Sequence, residues 1–95
     1  MLKCIESTMA GKNLDYDYLS RIKRRALKLG IQGIVFFQED GSVKVIAEGE
    51  EKNLLFFVEK LRRPSNFFTR IFSSTENFSV IWHEPKHEFE GFSVS

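Results

Sequence analysis

The feature that most constrains the fold is a β-hairpin signal near the middle of the chain. Two β-rich runs, residues 31–38 and 42–48, flank the turn Glu39-Asp40-Gly41. An Asp-Gly pair between two such runs is typical of a tight connection between antiparallel strands. We therefore expect these two runs to lie side by side, with the rest of the chain arranged around them.

Helical segments lie on both sides of the predicted hairpin. The first covers residues 15–29 and the second residues 50–63. Gly30 provides a C-terminal stop for the first helix, and Pro64 prevents the second from continuing. The residues that recur with the helical period, and that we expect to face inward, are Tyr18, Ile22, Ala26, Leu29, Leu54, Phe57, Val58 and Leu61.

Further β-rich runs open and close the chain. Residues 2–8 predict a short strand, and residues 78–84 and 89–95 predict two closing strands. Residues 64–77 are consistent with either a short strand or an apolar loop. The order β-α-β-β-α-β predicts a ferredoxin-like plait, an α+β fold in which two helices cover one face of an antiparallel sheet. Ninety-five residues are enough for a single domain with one core, residues 1–95.

Composition and charge narrow the possible partners and the compartment. The net charge is +1, so the chain as a whole has no attraction toward nucleic acid or an anionic membrane. No apolar run in the sequence approaches the roughly 18 residues of a membrane span. The one cysteine, Cys4, cannot form an internal disulfide, which is typical of a reducing compartment. We expect a cytoplasmic protein without a membrane partner.

Five fragments follow one another at a characteristic spacing along most of the chain. They are KLGIQGIV (28–35), DGSVKVIAEGEE (40–51), FVEKLRRP (57–64), WHEP (82–85) and EFEGFSV (88–94). Together they resemble the acylphosphatase family, from about residue 11 to residue 94. An insertion of several residues without a family counterpart falls between Pro64 and Phe78. The resemblance implies the plait fold, hydrolysis of carboxyl-phosphate anhydrides, and no metal or cofactor.

The phosphate loop of that family has the form G-x-V-Q-G-V-G-F-R. Its backbone N–H groups surround the phosphate, the final Arg supplies counter-charge, and an Asn on the second strand positions the attacking water. The resemblance places this loop on GKNLDYDYL, where Gly11, the basic Lys12 and the aromatic Tyr18 match. The implied phosphate-loop positions are Gly11, Lys12, Asn13, Leu14, Asp15, Tyr16, Asp17 and Tyr18.

The match fails at the positions that carry the family's chemistry. Asp15 and Asp17 replace the two inner glycines of the loop. Leu19 stands at the catalytic Arg position, and Phe37 stands at the Asn position. A carboxylate about 4 Å from a bound phosphate costs on the order of 4 kcal/mol per charge pair at an effective dielectric constant of about 20. We therefore predict that the chain has lost acyl-phosphate hydrolysis and acts as a binding or interaction module.

Two other functions stay open at the level of sequence. If the loop alignment shifts by one or two residues, Arg21 comes toward the Arg role, and the chain is a working acylphosphatase with a rearranged loop. The first helix also has a basic face, which is compatible with an RNA-binding plait. That scaffold normally stacks bases on a strand motif such as K/R-G-F-G-F-V, which this sequence lacks, so nucleic acid is the less favoured partner. The basic residues are Arg21, Arg24, Arg25 and Lys28.

The string His83-Glu84-Pro85-Lys86-His87 has the form H-E-x-x-H, which occurs in zinc proteases. That motif requires a helix, because only a helix places two imidazoles one turn apart on the same metal. Here Pro85 lies inside the string, strands are predicted on both sides, and no third ligand is evident. We expect a strand-to-strand turn and no metal.

Apolar residues at outward positions suggest an interaction surface. On the second helix Phe56 points about 150° away from the inward stripe, and Leu55 lies at its edge. Scattered surface hydrophobes are also normal, and the insertion that carries Phe72 would account for Phe56 if it folded back over that ring. We expect Ile34, Phe36, Ile46 and Trp82 as candidates for the sheet face that the helices leave uncovered. The predicted interaction residues are Phe36, Leu55, Phe56, Phe67 and Phe68, and the expected partner is a second copy or another protein.

Overall fold

The structure of the chain is a computed structural model that describes residues 1–12, 14–62 and 74–95. For Lys12 and residues 74–77 it describes the backbone alone. Within these ranges the elements are β1 (Leu2–Lys12), α1 (Tyr16–Lys28), β2 (Gln32–Phe37), β3 (Val43–Glu50), α2 (Glu51–Arg62), β4 (Ser74–His83) and β5 (Phe92–Val94). No helix in the described ranges is long and apolar enough to span a bilayer.

The strands form one mixed sheet in the order β4-β1-β3-β2-β5. β1 pairs antiparallel with β3 and with β4, and β2 pairs antiparallel with β3. β5 instead runs parallel to β2, so the expected ferredoxin-like plait is confirmed but the purely antiparallel sheet is wrong at this edge. The physical reason is that β4 ends at the end of the sheet where β2 begins, and the chain crosses the sheet there to the opposite edge. β5 therefore starts beside the start of β2 and runs in the same direction.

Two strands are longer than the sequence pattern predicts. β1 continues from residue 8 to Lys12 because it still pairs with β4 there, with a register shift between Ala10 and Gly11. β4 begins at Ser74, four residues before the predicted start of the strand at residue 78. The rest of the ambiguous segment, residues 64–73, lies outside the described residues.

Both helices pack on the same face of the sheet, as predicted. Alternate residues of the central strands, such as Ile5, Val35 and Val45, join the inward stripes of α1 and α2 in one core. All the residues predicted to face inward on the two helices are buried in this core, except Leu29, which is partly buried and packs against it. The helical and strand periods therefore place the core correctly.

The opposite face of the sheet has no helix from the described residues packed on it. Residues directly opposite each other on neighbouring strands point to the same side, so the register fixes which side chains lie there. We call this the open face, and define it by Glu6, Thr8, Ile34, Phe36, Lys44, Ile46, Ser79 and Ile81. This assignment confirms the prediction that Ile34, Phe36 and Ile46 lie on the face that the helices leave uncovered. The expectation for Trp82 is wrong, because Trp82 is opposite Ile5 and points to the helix side.

Gly33 is required where β5 joins the sheet. Its φ is +151°, and a Cβ at this position would lie 1.9 Å from the carbonyl oxygen of Ile46. The Gly33 N–H donates to the carbonyl of Gly91 at 2.9 Å, and Gly33 lies opposite Phe92 in the parallel pair. A side chain here would therefore push β2 away from β3, which carries Ile46.

The predicted hairpin turn between β2 and β3 is confirmed. The Gln38 N–H donates to the Ser42 carbonyl at 2.8 Å, which closes the turn. The Asp40 carboxylate accepts from the Ser42 N–H at 2.9 Å and from the Ser42 hydroxyl at 2.6 Å. These two bonds, the hydroxyl first, hold the pKa of the Asp40 carboxyl below its ordinary value of 3.8.

Candidate functional site

The predicted phosphate-loop positions gather at one end of the sheet, where β1 leads into α1. Residues 11–12 belong to the end of β1, and residues 16–18 belong to the first turn of α1. The described part of the connection is Leu14 and Asp15, since Asn13 lies outside the described residues. Much of the predicted loop is therefore regular secondary structure.

Asp15 is the N-cap of α1. Its carboxylate accepts a hydrogen bond from the Tyr18 N–H at 3.0 Å, and its backbone carbonyl accepts from the Leu19 N–H at 3.1 Å. The first turn of a helix has unpaired N–H groups that attract anions. In this chain the protein's own carboxylate takes one of those N–H groups and places a negative charge at the helix end.

Leu19, which the sequence resemblance predicts at the family's Arg position, lies inside the protein. Its side chain is 0% exposed and belongs to the core between the helices and the sheet. The preceding residue, Tyr18, is also buried, and its hydroxyl donates to the Met9 sulfur at 3.7 Å. The position predicted to supply counter-charge to a phosphate therefore holds an apolar side chain of the core.

Phe37, which the sequence resemblance predicts at the family's Asn position, contacts the start of α1. Its ring meets the ring of Tyr16 edge-on, with centroids 5.1 Å apart and planes at 88°. Phe37 is partly buried and packs against the core, whereas Tyr16 is largely exposed. The fold thus brings the start of α1 and the end of β2 together, and an aromatic contact joins these two parts of the predicted site.

Arg21, the alternative candidate for the Arg role, forms an ion pair on the surface of α1. Its guanidinium donates to the Asp17 carboxylate at 3.1 Å, one helical turn away, and both side chains are exposed. Arg24 and Lys28 are exposed on the same helix, and Arg25 is partly exposed. The predicted basic face of α1 is present. Arg21, the residue on it that could contact a phosphate, is already paired with the Asp17 carboxylate.

Residues 84–91 connect β4 to β5 across the end of the sheet, and we call them the strap. The Glu48 carboxylate on β3 is buried and accepts hydrogen bonds from the backbone N–H groups of Lys86 and His87. Cys4, opposite Glu48 on β1, is fully buried. Burial raises the pKa of the Cys4 thiol, and the nearby Glu48 carboxylate raises it further.

The H-E-x-x-H string does not form a helix. His83 is the last residue of β4, and Glu84 to His87 belong to the strap, outside any helix or strand. The backbone of Lys86 and His87 is held by hydrogen bonds to the Glu48 carboxylate, and His87 has a positive φ of 56°. Among the described residues, no group of three or more His, Cys, Asp or Glu is placed to hold a metal ion.

The outward positions on α2 are exposed as predicted. The side chains of Leu55 and Phe56 are 55% and 53% exposed, and the Lys60 ammonium lies 5.4 Å from the centre of the Phe56 ring. Phe67 and Phe68, the other predicted contact residues beyond the sheet, lie outside the described residues. Their role, like that of the whole predicted interaction surface, stays a prediction.

The comparisons with known proteins agree with this architecture. A family model described as acylphosphatase matches residues 10–94. The chain belongs to the acylphosphatase family. The acylphosphatase from Bacillus subtilis is similar to it with a TM-score of 0.83 at 26% identity, covering 100% of this chain and 99% of that one. The acylphosphatase from Coxiella burnetii is similar with a TM-score of 0.76 at 24% identity, covering 99% and 93%.

The same fold also occurs inside a larger protein. Full-length HypF, in its phosphate- and nucleotide-bound form, is similar with a TM-score of 0.78 at 18% identity. The match covers 100% of this acylphosphatase-family chain and 12% of HypF. At this identity the likeness describes the fold alone.

In this acylphosphatase-family chain the sequence analysis missed the contacts of the site, although one of them had a signal in the sequence. The cap formed by Asp15 had a signal, because an Asp directly before a helical run is a common N-cap. The contact between Tyr16 and Phe37 had none, since it joins residues on separate elements. The same is true of the hydrogen bonds from the strap to Glu48.

Proposed function

We propose that this member of the acylphosphatase family does not hydrolyse acyl phosphates and serves as a binding module. The observation that carries the proposal is the packing of Leu19 and Phe37. Leu19 is fully buried in the core, and Phe37 packs against the core and against Tyr16. Hydrolysis in this family needs a counter-charge and a polar group for water at these two positions, and neither apolar side chain supplies one.

The charges at the helix end support the same proposal. The Asp15 carboxylate accepts a hydrogen bond from the Tyr18 N–H at 3.0 Å, and Asp17 lies in the first turn of α1, where its carboxylate accepts from Arg21. Two carboxylates at the start of α1 oppose the approach of a phosphate dianion. Arg21, whose guanidinium donates to the Asp17 carboxylate, is a weaker clamp for a substrate, because part of its charge is already neutralised by that carboxylate.

The binding role rests on apolar residues that remain exposed. Leu55 and Phe56, neighbours on α2, are each more than half exposed, and Ile81 is similarly exposed on the other side of the sheet. Exposed apolar surface of this kind marks contact sites for other proteins when the residues are contiguous. We assign the binding role to Leu55 and Phe56, because they are neighbouring apolar side chains that stay exposed on α2.

The test is an acyl-phosphate hydrolysis assay. Purified wild-type protein is incubated with benzoyl phosphate, and loss of the anhydride is followed by ultraviolet absorbance, with the Bacillus subtilis acylphosphatase as positive control. We expect the wild-type rate to equal the buffer blank. The Arg21→Ala variant is measured in parallel, because Arg21 is the candidate for a rearranged clamp. Turnover that scales with wild-type protein and disappears in Arg21→Ala would overturn the proposal.

A second measurement addresses binding without hydrolysis. Inorganic phosphate is titrated into the labelled protein, and the backbone amide signals of Asp15, Tyr16 and Leu19 are followed by NMR. We expect no saturable shift at millimolar phosphate, because the Asp15 carboxylate already occupies the helix end. A saturable shift at these amides would mean that the site still receives an anion.

A further inference from the structure

β4 is the outermost strand on one side of the sheet, and its outer edge is well suited to pairing. Within the described ranges the strand that β4 pairs with is β1. The register of this pair is regular from Asn77 to His83, and a shift interrupts it just before Asn77. The stretch 77–83 contains no Pro, Gly, Lys or acidic residue, the residues with which edge strands normally prevent pairing. β5, at the other edge, is protected by its length of three residues.

The hydrogen bonds of the neighbouring strands fix which backbone groups point to this edge. The Glu51 N–H donates to the Met1 carbonyl at 3.0 Å, so the odd residues of β1 bond toward β3 and the even residues toward β4. The β4 residues opposite those even residues, such as Ser79 and Ile81, therefore bond toward β1. The Ser7 hydroxyl agrees with this direction, because it donates to the Ser79 carbonyl at 3.0 Å. The outer edge is then formed by the N–H and C=O groups of Phe78, Val80 and Trp82.

The side chains along this edge have a symmetric order. They point to the helix side of the sheet, since they lie opposite fully buried residues of β1. Their order is aromatic, β-branched, aromatic: Phe78, Val80, Trp82. A two-fold axis at Val80 places Val80 against Val80, and each Phe78 against Trp82 of the other copy. Aromatic pairs across antiparallel strands stabilise sheets, and Trp82 is 40% exposed in the single chain, so its ring has surface left to bury.

We infer that β4 pairs antiparallel with β4 of a second copy of this chain, which joins the two sheets into one. The free N–H and C=O groups of a strand edge are complementary to another extended strand, and the symmetric order about Val80 makes that strand a second β4. Both helices pack over other strands, α1 over β2 and β5 and α2 over β3 and β1. The inference goes beyond the proposed function, because it depends neither on the loss of hydrolysis nor on Leu55 and Phe56.

The length of the edge sets the strength of this contact. The stretch 77–83 is roughly 24 Å long at about 3.4 Å per residue, and the contact is one strand wide. Its total buried area is therefore below the roughly 1,200 Å² under which interfaces are weak and transient. We expect a reversible dimer that forms at micromolar concentrations or above.

Concentration-dependent association is the first test. Sedimentation velocity of tag-free protein from about 1 to 200 μM should show wild type shifting from monomer to dimer. The emission of Trp82, the one tryptophan of the chain, should shift to the blue over the same range, because its ring becomes covered. Val80→Pro removes the N–H at the axis and should stay monomeric at 200 μM. The single chain keeps its pairing with β1, because that N–H points outward and a proline is tolerated there.

Cross-linking tests the register of the pair. Ser79 of one copy lies opposite Ile81 of the other, in a non-hydrogen-bonded pair whose Cβ atoms are about 4.5–5.5 Å apart. An equimolar mixture of Ser79→Cys and Ile81→Cys should therefore form a disulfide-linked heterodimer under mild oxidation. Each variant alone should cross-link much more slowly, because neither position faces itself across the axis. Wild type, whose Cys4 is buried, is the blank.

A matched pair of charge substitutions locates the contact. Trp82→Lys adds a charge at the edge, and Phe56→Lys adds the same charge to an exposed aromatic residue of α2. Trp82→Lys should stay monomeric at 200 μM and Phe56→Lys should dimerise like wild type, with thermal melts showing both folded. Trp82→Lys decides the case if Val80→Pro does not fold.

Three results would each overturn the inference: wild type that stays monomeric at 200 μM, a mixture that gives no heterodimer, or dimerisation lost in Phe56→Lys and kept in Trp82→Lys. The hydrolysis assay is independent of these measurements. Protein that hydrolyses acyl phosphate and still passes them would contradict the proposed function and leave the dimer standing.

Discussion

The rings of Tyr16 and Phe37 meet edge-on, 5.1 Å apart, where the start of α1 meets the end of β2. In this contact the predicted phosphate loop meets the position predicted to correspond to the family's water-positioning residue. An edge-to-face aromatic pair is an apolar interaction of about 0.5–1.5 kcal/mol beyond the area it buries. The contact therefore contributes to folding, at the end of the sheet where the family's catalysts would place polar groups.

Replacing Phe37 by asparagine tests whether this position alone decides activity. We expect Phe37→Asn to lower the free energy of unfolding by about 2 kcal/mol, because a ring packed on the core is removed and an amide replaces it. We expect no hydrolysis, because Leu19 still occupies the Arg position inside the core. Urea denaturation and the benzoyl phosphate assay measure the two effects. Phe56→Asn, at an exposed site, is the matched control and should be close to wild type in stability.

Replacing Asp15 tests its role as a helix cap. Asp15→Ala removes the acceptor of the Tyr18 N–H and should lower the free energy of unfolding by about 1 kcal/mol. Asp15→Asn keeps an acceptor of the same shape and should retain most of the stability. Urea denaturation at neutral pH separates the two variants. Equal stability of Asp15→Ala and wild type would show that the cap does not stabilise α1.

Replacing Ser42 tests the hydrogen bonds of the hairpin turn. Because the Ser42 hydroxyl and N–H hold the pKa of the Asp40 carboxyl below 3.8, Ser42→Ala should raise that pKa toward 3.8. A carboxyl with a depressed folded-state pKa adds stability that is present above the unfolded-state pKa. That stability is lost as the pH falls through the folded-state pKa, and Ser42→Ala should reduce this acid-dependent part. NMR titration of Asp40 measures the shift, with Ser93→Ala as a control that should leave the titration unchanged.

Replacing Glu48 tests whether its carboxylate holds the strap closed. Burial raises the pKa of Cys4 above its ordinary value of 9.0, so the wild-type thiol should react slowly with a disulfide reagent at pH 8. Glu48→Gln weakens the hydrogen bonds to the strap and removes a charge beside the thiol. The reaction rate should then rise by about tenfold or more, since hydrogen bonds to charged groups contribute about 1.5–3 kcal/mol.

Glu50→Gln is the control for this experiment, since Glu50 is an exposed carboxylate at the end of the same strand. Its thiol reaction rate should match wild type. If Glu48→Gln also reacts at the wild-type rate, the strap is held by other contacts and the prediction is wrong. Circular dichroism of both variants checks that the sheet is intact during the measurement.

The sequence by itself determined the order of the elements and the composition of the core. A turn such as Asp40-Gly41 and a period such as that of Leu54, Phe57 and Leu61 are local signals, because both depend on residues a few positions apart. They predicted the hairpin, both helices and the face that packs on the sheet. They also indicated the apolar replacements at Leu19 and Phe37, through their place in the acylphosphatase pattern.

The tertiary structure decided what depends on pairing between distant segments. The parallel direction of β5 follows from the path of the strap to the opposite edge, a path that no local pattern encodes. Ile81 rather than Trp82 lies on the open face, because a one-residue change of register reverses every side chain of a strand. The burial of Glu48 under the strap joins residues 38 positions apart. Local spacing carries no information about such contacts, since they form only when the whole sheet is assembled.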